Sequence, residues 1–294
     1  MTSNITSIAA TKILLEKNQG LKFTESPRWH NGKLWFLDIH GKSIKTVELD
    51  GTLSTVLDLP FLPNGFGLTP DGTLVFGDAL GRKVHRWDGK TLHLNADLSH
   101  LTTFCLSDGI VDSKGRFYVG DIGYNFFDPA NQPVDTCVIV KVEPDGSAEV
   151  VADKLKFPNG MAIAADGKTL IVAECMAHRL TAFDINESGQ LSQRRVWAQF
   201  SEDVHPDGIC LDAEGAVWVA NPEGAASVLR VLEGGQITHR VQVTTDAFAL
   251  MLGGVERRQL FICTSASHNP AEIAQNPSAR IEVIDVDVGG AGHP

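Results

Sequence analysis

The amino-acid sequence predicts an all-β fold, a six-bladed β-propeller running through residues 1–294 as a single domain, with an N-terminal strand closing the last blade. Three observations predict it. One short pattern (apolar strand, Gly/Asp/Asn-rich turn, second strand) recurs six times. Where an anchor residue can be matched, the copies stand 39, 43, 52 and 48 residues apart. The chain also opens on a lone apolar stretch, and its last unit is one strand short.

The copies follow one another along the whole chain. TESPRWHNGKLWFLDI begins at Thr24, LPNGFGLTPDGTLVFGDA at Leu62 and LSDGIVDSKGRFYVGDI at Leu106. FPNGMAIAADGKTLIVAE begins at Phe157 and HPDGICLDAEGAVWVANP at His205, and a degenerate FALMLGGVERRQLFICTS begins at Phe248. The Pro-Asn-Gly of the fourth copy reads as a turn leading into its first strand. Third strands such as KVHRWDG and RLTAFDIN follow most copies, several of them closed by Asp-Gly or similar turns. A period of about 40–50 residues with several short strands and almost no helical periodicity marks a propeller. TKILLE, residues 11–16, is expected to supply the outer strand of the sixth blade, so that no sheet edge stays open. A β-sandwich or two stacked sheets is the competing architecture, and six copies in phase argue against it.

Composition narrows the function classes. The net charge is −11, which argues against a nucleic-acid or anionic-membrane surface, since both demand a basic patch. No apolar run approaches the roughly 20 residues of a membrane span, and MTSNITSIAATKILLEK lacks the layout of a secretion signal. The five cysteines show no C-x-x-C spacing and sit mostly beside apolar residues, so buried thiols in a reducing cytoplasm are expected. Oligomeric state leaves no signal.

In a propeller the innermost strand of each blade lines the central channel, so one repeat position forms a ring around the axis. That ring reads Glu25, Asn64, Ser107, Asn159, Asp207 and an apolar residue near Ala249. Oxygen donors from Asp, Glu and Asn suit a hard divalent cation such as calcium, magnesium or manganese, whereas zinc prefers His or Cys. For Asn64 a pure turn role explains the residue as well as a ligand role does. It does not explain Glu25, a carboxylate at a channel mouth with no Lys or Arg beside it.

With those residues in place the chain resembles the gluconolactonase / senescence-marker-protein / luciferin-regenerating-enzyme family of six-bladed propellers. The resemblance runs from about Ala10 to Val288 and is carried by ESPRW with WFLDI, SDGIVDSKGRFYVGD, FPNGMAIAADGKTLIVAE and HPDGICLDAEGAVWVA. It implies one divalent cation on the axis, held by Glu25, Asn159 and Asp207. Calcium is the expected ion, and zinc, magnesium and manganese are alternatives in a family that is permissive. It also implies hydrolysis of a lactone, with the cation polarising the carbonyl and Asp207 as candidate base for the attacking water. Neither a G-x-S-x-G elbow nor an H-E-x-x-H motif offers other machinery. The chain departs from the family where sugar-lactone members carry an Arg and an Asn in the third blade. Those places read Cys105 and Ser107, followed by Asp108, and a substrate-contacting Glu falls at Tyr124. Losing an Arg removes a fork of donors suited to hydroxyls and carboxylates. A substrate less polar than gluconolactone follows, for which Phe126, Phe127, Trp29 and Phe66 could supply apolar walls.

Asp38, Asp78, Asp121, Glu174 and Asn221 close the second strands of successive blades and read as backbone acceptors toward a neighbouring blade. Asp121, beside the substrate-binding stretch GDIGYN, is the candidate exception. His205 reads as a turn or surface residue sooner than as an acid/base helper. His178 and His268 fall in connecting loops, the second in a long Asn/Ala/Pro-rich loop that could cover one mouth. The reading is a metal-dependent lactone hydrolase acting on a small molecule, with Glu25, Asn159 and Asp207 on the cation, Ser107 or Asp108 near the substrate and Asn64 as a further contact. Two rivals stand beside it: an isomerase- or lyase-type reaction on the same cation, and a non-enzymatic binding propeller.

Overall fold

A computed structural model describes residues 5–8, 12–124, 137–222 and 226–291. Among the described residues the strands form six sheets, each running outward from the axis in chain order. Blade one comprises Thr24–His30, Lys33–Asp38, Ser43–Val47 and Leu53–Asp58. Blade two begins with Pro63–Leu68 and Leu74–Asp78, blade three with Leu106–Val111 and Phe117–Asp121, and blade four with Pro158–Ile163 and Thr169–Glu174. Blade five begins with Ile209–Leu211 and Val217–Asn221, and blade six with Asp246–Gly253 and Gln259–Ser265. Apolar side chains from adjacent blades interlock between the sheets, and Phe36, Phe66, Phe76, Phe117, Trp218 and Phe261 are fully buried there.

Ring closure follows the expectation. Lys12–Leu15 pairs antiparallel with Arg280–Asp285, placing Leu15 opposite Ile281. A second N-terminal strand, Thr6–Ile8, was not anticipated. It adds in parallel to the outer strand Ile237–Gln242 of blade five, with Ser7 opposite Arg240. The N-terminal segment therefore covers two outer edges in succession.

Bulges on the inner strands set up the axis. Pairing with the second strand shifts register between Glu25 and Arg28, Asn64 and Phe66, Leu106 and Gly109, Pro158 and Met161, and Ala247 and Ala249. The irregularity skips the ring residue in blades three, four and six and begins immediately after it in blades one and two, breaking the normal alternation there. Two corrections follow. Asn159-Gly160 lies inside a strand rather than in a turn. The sixth ring position is Phe248, the residue skipped by the bulge, while Ala249 packs in the core. The glycine after the ring residue is there for close approach. A Cβ on Gly160 would collide with the Asp207 carbonyl oxygen of the next blade, and one on Gly208 would lie 2.5 Å from the Ala249 Cα.

The acids ending the second strands hold backbone, as their position suggested, but the backbone belongs to the loop entering their own blade. Asp38 accepts from the N–H groups of Lys22 and Phe23 at 3.0 and 2.9 Å. Asp121 accepts from Thr103 N at 3.0 Å, Glu174 from Lys156 N at 2.9 Å and Asn221 from His205 N at 2.8 Å. Asp78 accepts from Gly81 N in the loop that follows it. Asp121 is thus a loop clip, and it does not reach the cavity. All five cysteines are free and buried. No helix among the described residues is long and apolar enough to cross a membrane.

Candidate metal and substrate site

A cavity of about 380 Å³ opens at one end of the axis, and all six blades line it. Farther along the inner strands, Ile110, Met161, Ile209 and Met251, with Arg28 and Arg257, line a space of only about 20 Å³. Glu25, Asn64, Ser107, Asn159 and Asp207 all face the open cavity, as does Cys105.

Glu25 and Asp207 are nearly closed off from solvent, at 7% and 8% exposure. Glu25 Oε2 accepts one bond, from the Ser26 N–H at 2.7 Å. Ser26 itself holds a left-handed φ of 48°, a strained backbone position beside the carboxylate. Among the described residues no Lys or Arg pairs with either acid and nothing donates a hydrogen bond to the Asp207 side chain. Burial, and then the negative charge of Asp108, push Glu25 up to about 8. Burial first, and then Glu25 and Asp108, hold Asp207 well above the usual carboxylate range. Two buried acids, with Glu25 raising Asp207 and the Arg28 charge the smallest of the influences on Glu25, form a site that could take an added cation. Asn159 brings the neutral oxygen, with the Ser107 hydroxyl 3.5 Å from its Oδ1. Among the described residues no three His, Cys, Asp or Glu side chains converge. The residues that could hold a cation are two carboxylates and a carboxamide, a set that suits a hard cation better than zinc.

Three residues expected at the substrate lie elsewhere. Asp108 follows Ser107 in an inner strand and so points to the opposite face. There its Oδ1 accepts from Ser26 Oγ at 2.9 Å and from Gly109 N at 2.8 Å, with Arg28 Nη2 at 3.5 Å. It acts on the cavity through its charge alone. Tyr124 packs edge-on against Phe157, their centroids 6.3 Å apart, behind Cys105 and Ile122. Asp121 clips the loop described above. Of the apolar wall residues, Trp29 stacks on Phe261 and Phe66 lies fully buried near Arg28, both in the core. Phe126 and Phe127 fall outside the described residues.

The walls come from residues that the repeat did not single out. Phe23 meets Phe248 edge-on at 4.9 Å, and His40 and His268 continue that surface. His40 Nε2 lies 3.3 Å from the His268 carbonyl oxygen, tying the loop with the short helix Pro270–Gln275 to blade one. His205 lines the cavity instead of facing solvent, and its ring stands 4.6 Å from that of His178. On the far side lie Leu62, Leu80, Ile122, Phe157, Cys175 and Met176. Phe248 was readable as a ring member. The others sit in loops, outside the strand period.

Fold and site together define a six-bladed propeller with a paired-carboxylate centre at one end of its axis. Residues 23–266 match the family described as the SMP-30/Gluconolactonase/LRE-like region, and the chain belongs to that family. It is 26% identical to regucalcin of Danio rerio, over 99% of this chain and 98% of that protein. It is 28% identical to a 6-deoxy-6-sulfogluconolactonase of Pseudomonas putida, over 92% of this chain and 93% of that one. The solved structure of a calcium-binding protein, regucalcin, from Agrobacterium tumefaciens superposes with a TM-score of 0.82, at 20% identity and 99% coverage of both chains.

Proposed function

We propose that the protein opens a lactone by hydrolysis, with one divalent cation held by Glu25, Asn159 and Asp207. Calcium is the expected ion, and magnesium, manganese and zinc are the alternatives. The observation that carries this reading is the buried pair Glu25 and Asp207, facing a cavity that no Lys or Arg among the described residues lines. Relatives named as a sulfogluconolactonase and as regucalcin agree with it.

A bound cation supplies Lewis acidity toward the carbonyl oxygen of the ester. The chain's own residues do the rest. Glu25 and Asp207 give the site its negative charge, and Asn159 contributes a fixed neutral oxygen. Asp207, whose side chain accepts no hydrogen bond among the described residues, is available to take a proton from the attacking water. A lactone is a reactive ester, so polarisation and a positioned base suffice without a covalent nucleophile. The Cys105 thiol is no competitor in that role, because burial and then the nearby Asp121 charge push it up to about 12. The free, buried cysteines also suit the cytoplasmic location we infer.

The test is a panel of aliphatic, aromatic and sugar lactones assayed by acid release, after chelation and again with added calcium. Turnover that vanishes with chelator and returns with calcium supports the reading. Turnover of no lactone sinks it and leaves the isomerase- or lyase-type chemistry, or the binding propeller, in its place. Axial electron density with ligand distances of about 2.3–2.6 Å would identify calcium.

A further inference from the structure

We propose that the substrate is an uncharged lactone bearing a hydrophobic substituent, which lies against the sector of the cavity built by blades two to four. This rests on the lactone reading above. The cavity wall is divided. Blades five, six and one set three imidazoles, those of His205, His268 and His40, among apolar side chains such as Phe23 and Phe248. Blades two to four present Leu62, Leu80, Ile122, Cys175 and Met176, with Cys105 nearest the axis.

Three observations converge on that sector. No Lys or Arg is among the described residues lining the cavity, while two carboxylates are. An anionic substituent would lose its water and gain no ion pair. Discriminating recognition of hydroxyls needs committed donors and acceptors. The Asn64 amide of this sector is already bonded to Leu106 O and Gly65 N. Lastly, Leu80 and Met176 stand at the mouth 54% and 37% exposed, on loops of blades two and four that flank the sector. Single exposed apolar side chains are ordinary. Two of them on the rim of one cavity, continuous with Leu62 and Ile122 inside, form a strip that a bound chain would cover. The volume of about 380 Å³ leaves space for such a chain beyond a small lactone ring.

The experiment is a homologous series of γ-lactones with lengthening alkyl side chains, assayed on the calcium-supplemented protein. Expected is a rise in kcat/KM of roughly three- to fourfold per methylene, levelling once the chain passes the rim. Leu80→Asp and Met176→Asp change exposed positions, so the fold should persist, and each should cut the gain of the longest chains by roughly tenfold. A flat or falling series overturns the proposal, as does a tenfold preference for a polyhydroxylated or carboxylated lactone. The corresponding γ-lactams, which resist hydrolysis, are titrated by calorimetry in parallel. If no lactone is turned over, the reaction class is wrong, and the lactams still decide the pocket. Affinity that climbs with chain length supports a hydrophobic ligand, and constant affinity rejects it.

Discussion

Glu25 and Glu174 are both buried glutamates on the inner two strands of a blade, and they live in opposite surroundings. Glu174 is fully enclosed and saturated. It accepts from Lys156 N and Thr181 Oγ1 and pairs with Arg179 at 2.8 Å and Arg194 at 3.2 Å. Among the described residues Glu25 accepts only the N–H of Ser26; it is raised by Asp108, itself raises Asp207, and looks into a cavity. The same contrast runs round the molecule. Asp38, Asp121 and Asn221 clip loops, while Asp207 has no side-chain donor among the described residues. Acids that are satisfied by the chain stabilise it. Acids left without a partner mark where something from outside must bind.

The largest effect expected from this contrast is at Asp207. Asp207→Asn keeps the shape and removes one charge, so calcium-dependent lactone turnover should fall by roughly a hundredfold or more. The metal-free protein should become no less stable, since a buried, uncompensated charge is gone. Thermal melts with and without calcium read both at once. A large loss of metal-free stability would place Asp207 with the structural acids. Glu174→Gln is the mirror image. It strips two arginines of their acceptor and weakens the clip on Lys156. Because Arg179 and Arg194 are partly exposed, the expected cost is about 2 kcal/mol in urea unfolding, with calcium affinity unchanged.

The contrast also has a pH signature. An acid raised in the folded state keeps a proton that the unfolded chain has already lost. Glu25, ordinarily near 4.5 and here about 8, therefore favours the metal-free fold most below the ordinary carboxylate range. That contribution is lost as pH rises toward 8. Calcium must displace the proton, so its apparent affinity should climb between pH 5 and 8, by roughly tenfold per unit for each proton released. Calorimetry in buffers of different ionisation enthalpy counts those protons. Release of none would mean that the pair is already ionised.

Much of this contrast could be read before any coordinates, for reasons particular residues make plain. Six copies of one pattern at propeller spacing located Glu25, Asn159 and Asp207, because one repeat position becomes one ring. The same reasoning carried Asp108 to the wrong face, since consecutive strand residues point opposite ways and Ser107 already held the inward place. Phe248 is the apolar residue expected near Ala249, but its precise place is set by a bulge, which has no sequence mark as plain as a period. Thr6–Ile8 is too short, and pairs too far from its sequence position, to announce itself. The walls at Phe23, His40, Leu80 and Met176 lie in loops, where alternation stops.

Asn64 gives the smallest and most discriminating test. It sits on the same ring as Asn159 and faces the same cavity, so position alone would make it a ligand. Its side chain is spent locally. Nδ2 donates to Leu106 O at 3.1 Å and Oδ1 accepts from Gly65 N at 3.0 Å, tying blade two to blade three. By the argument from Glu25 and Glu174 it belongs with the structural acceptors in spite of its address. Asn64→Ala should cost about 1 kcal/mol of stability, the worth of ordinary neutral hydrogen bonds, and leave calcium affinity within about threefold. Asn159→Ala in the same titration should weaken calcium by at least about tenfold. If the two variants lose affinity equally, ring position decides ligation, and the state of each side chain's hydrogen bonds does not.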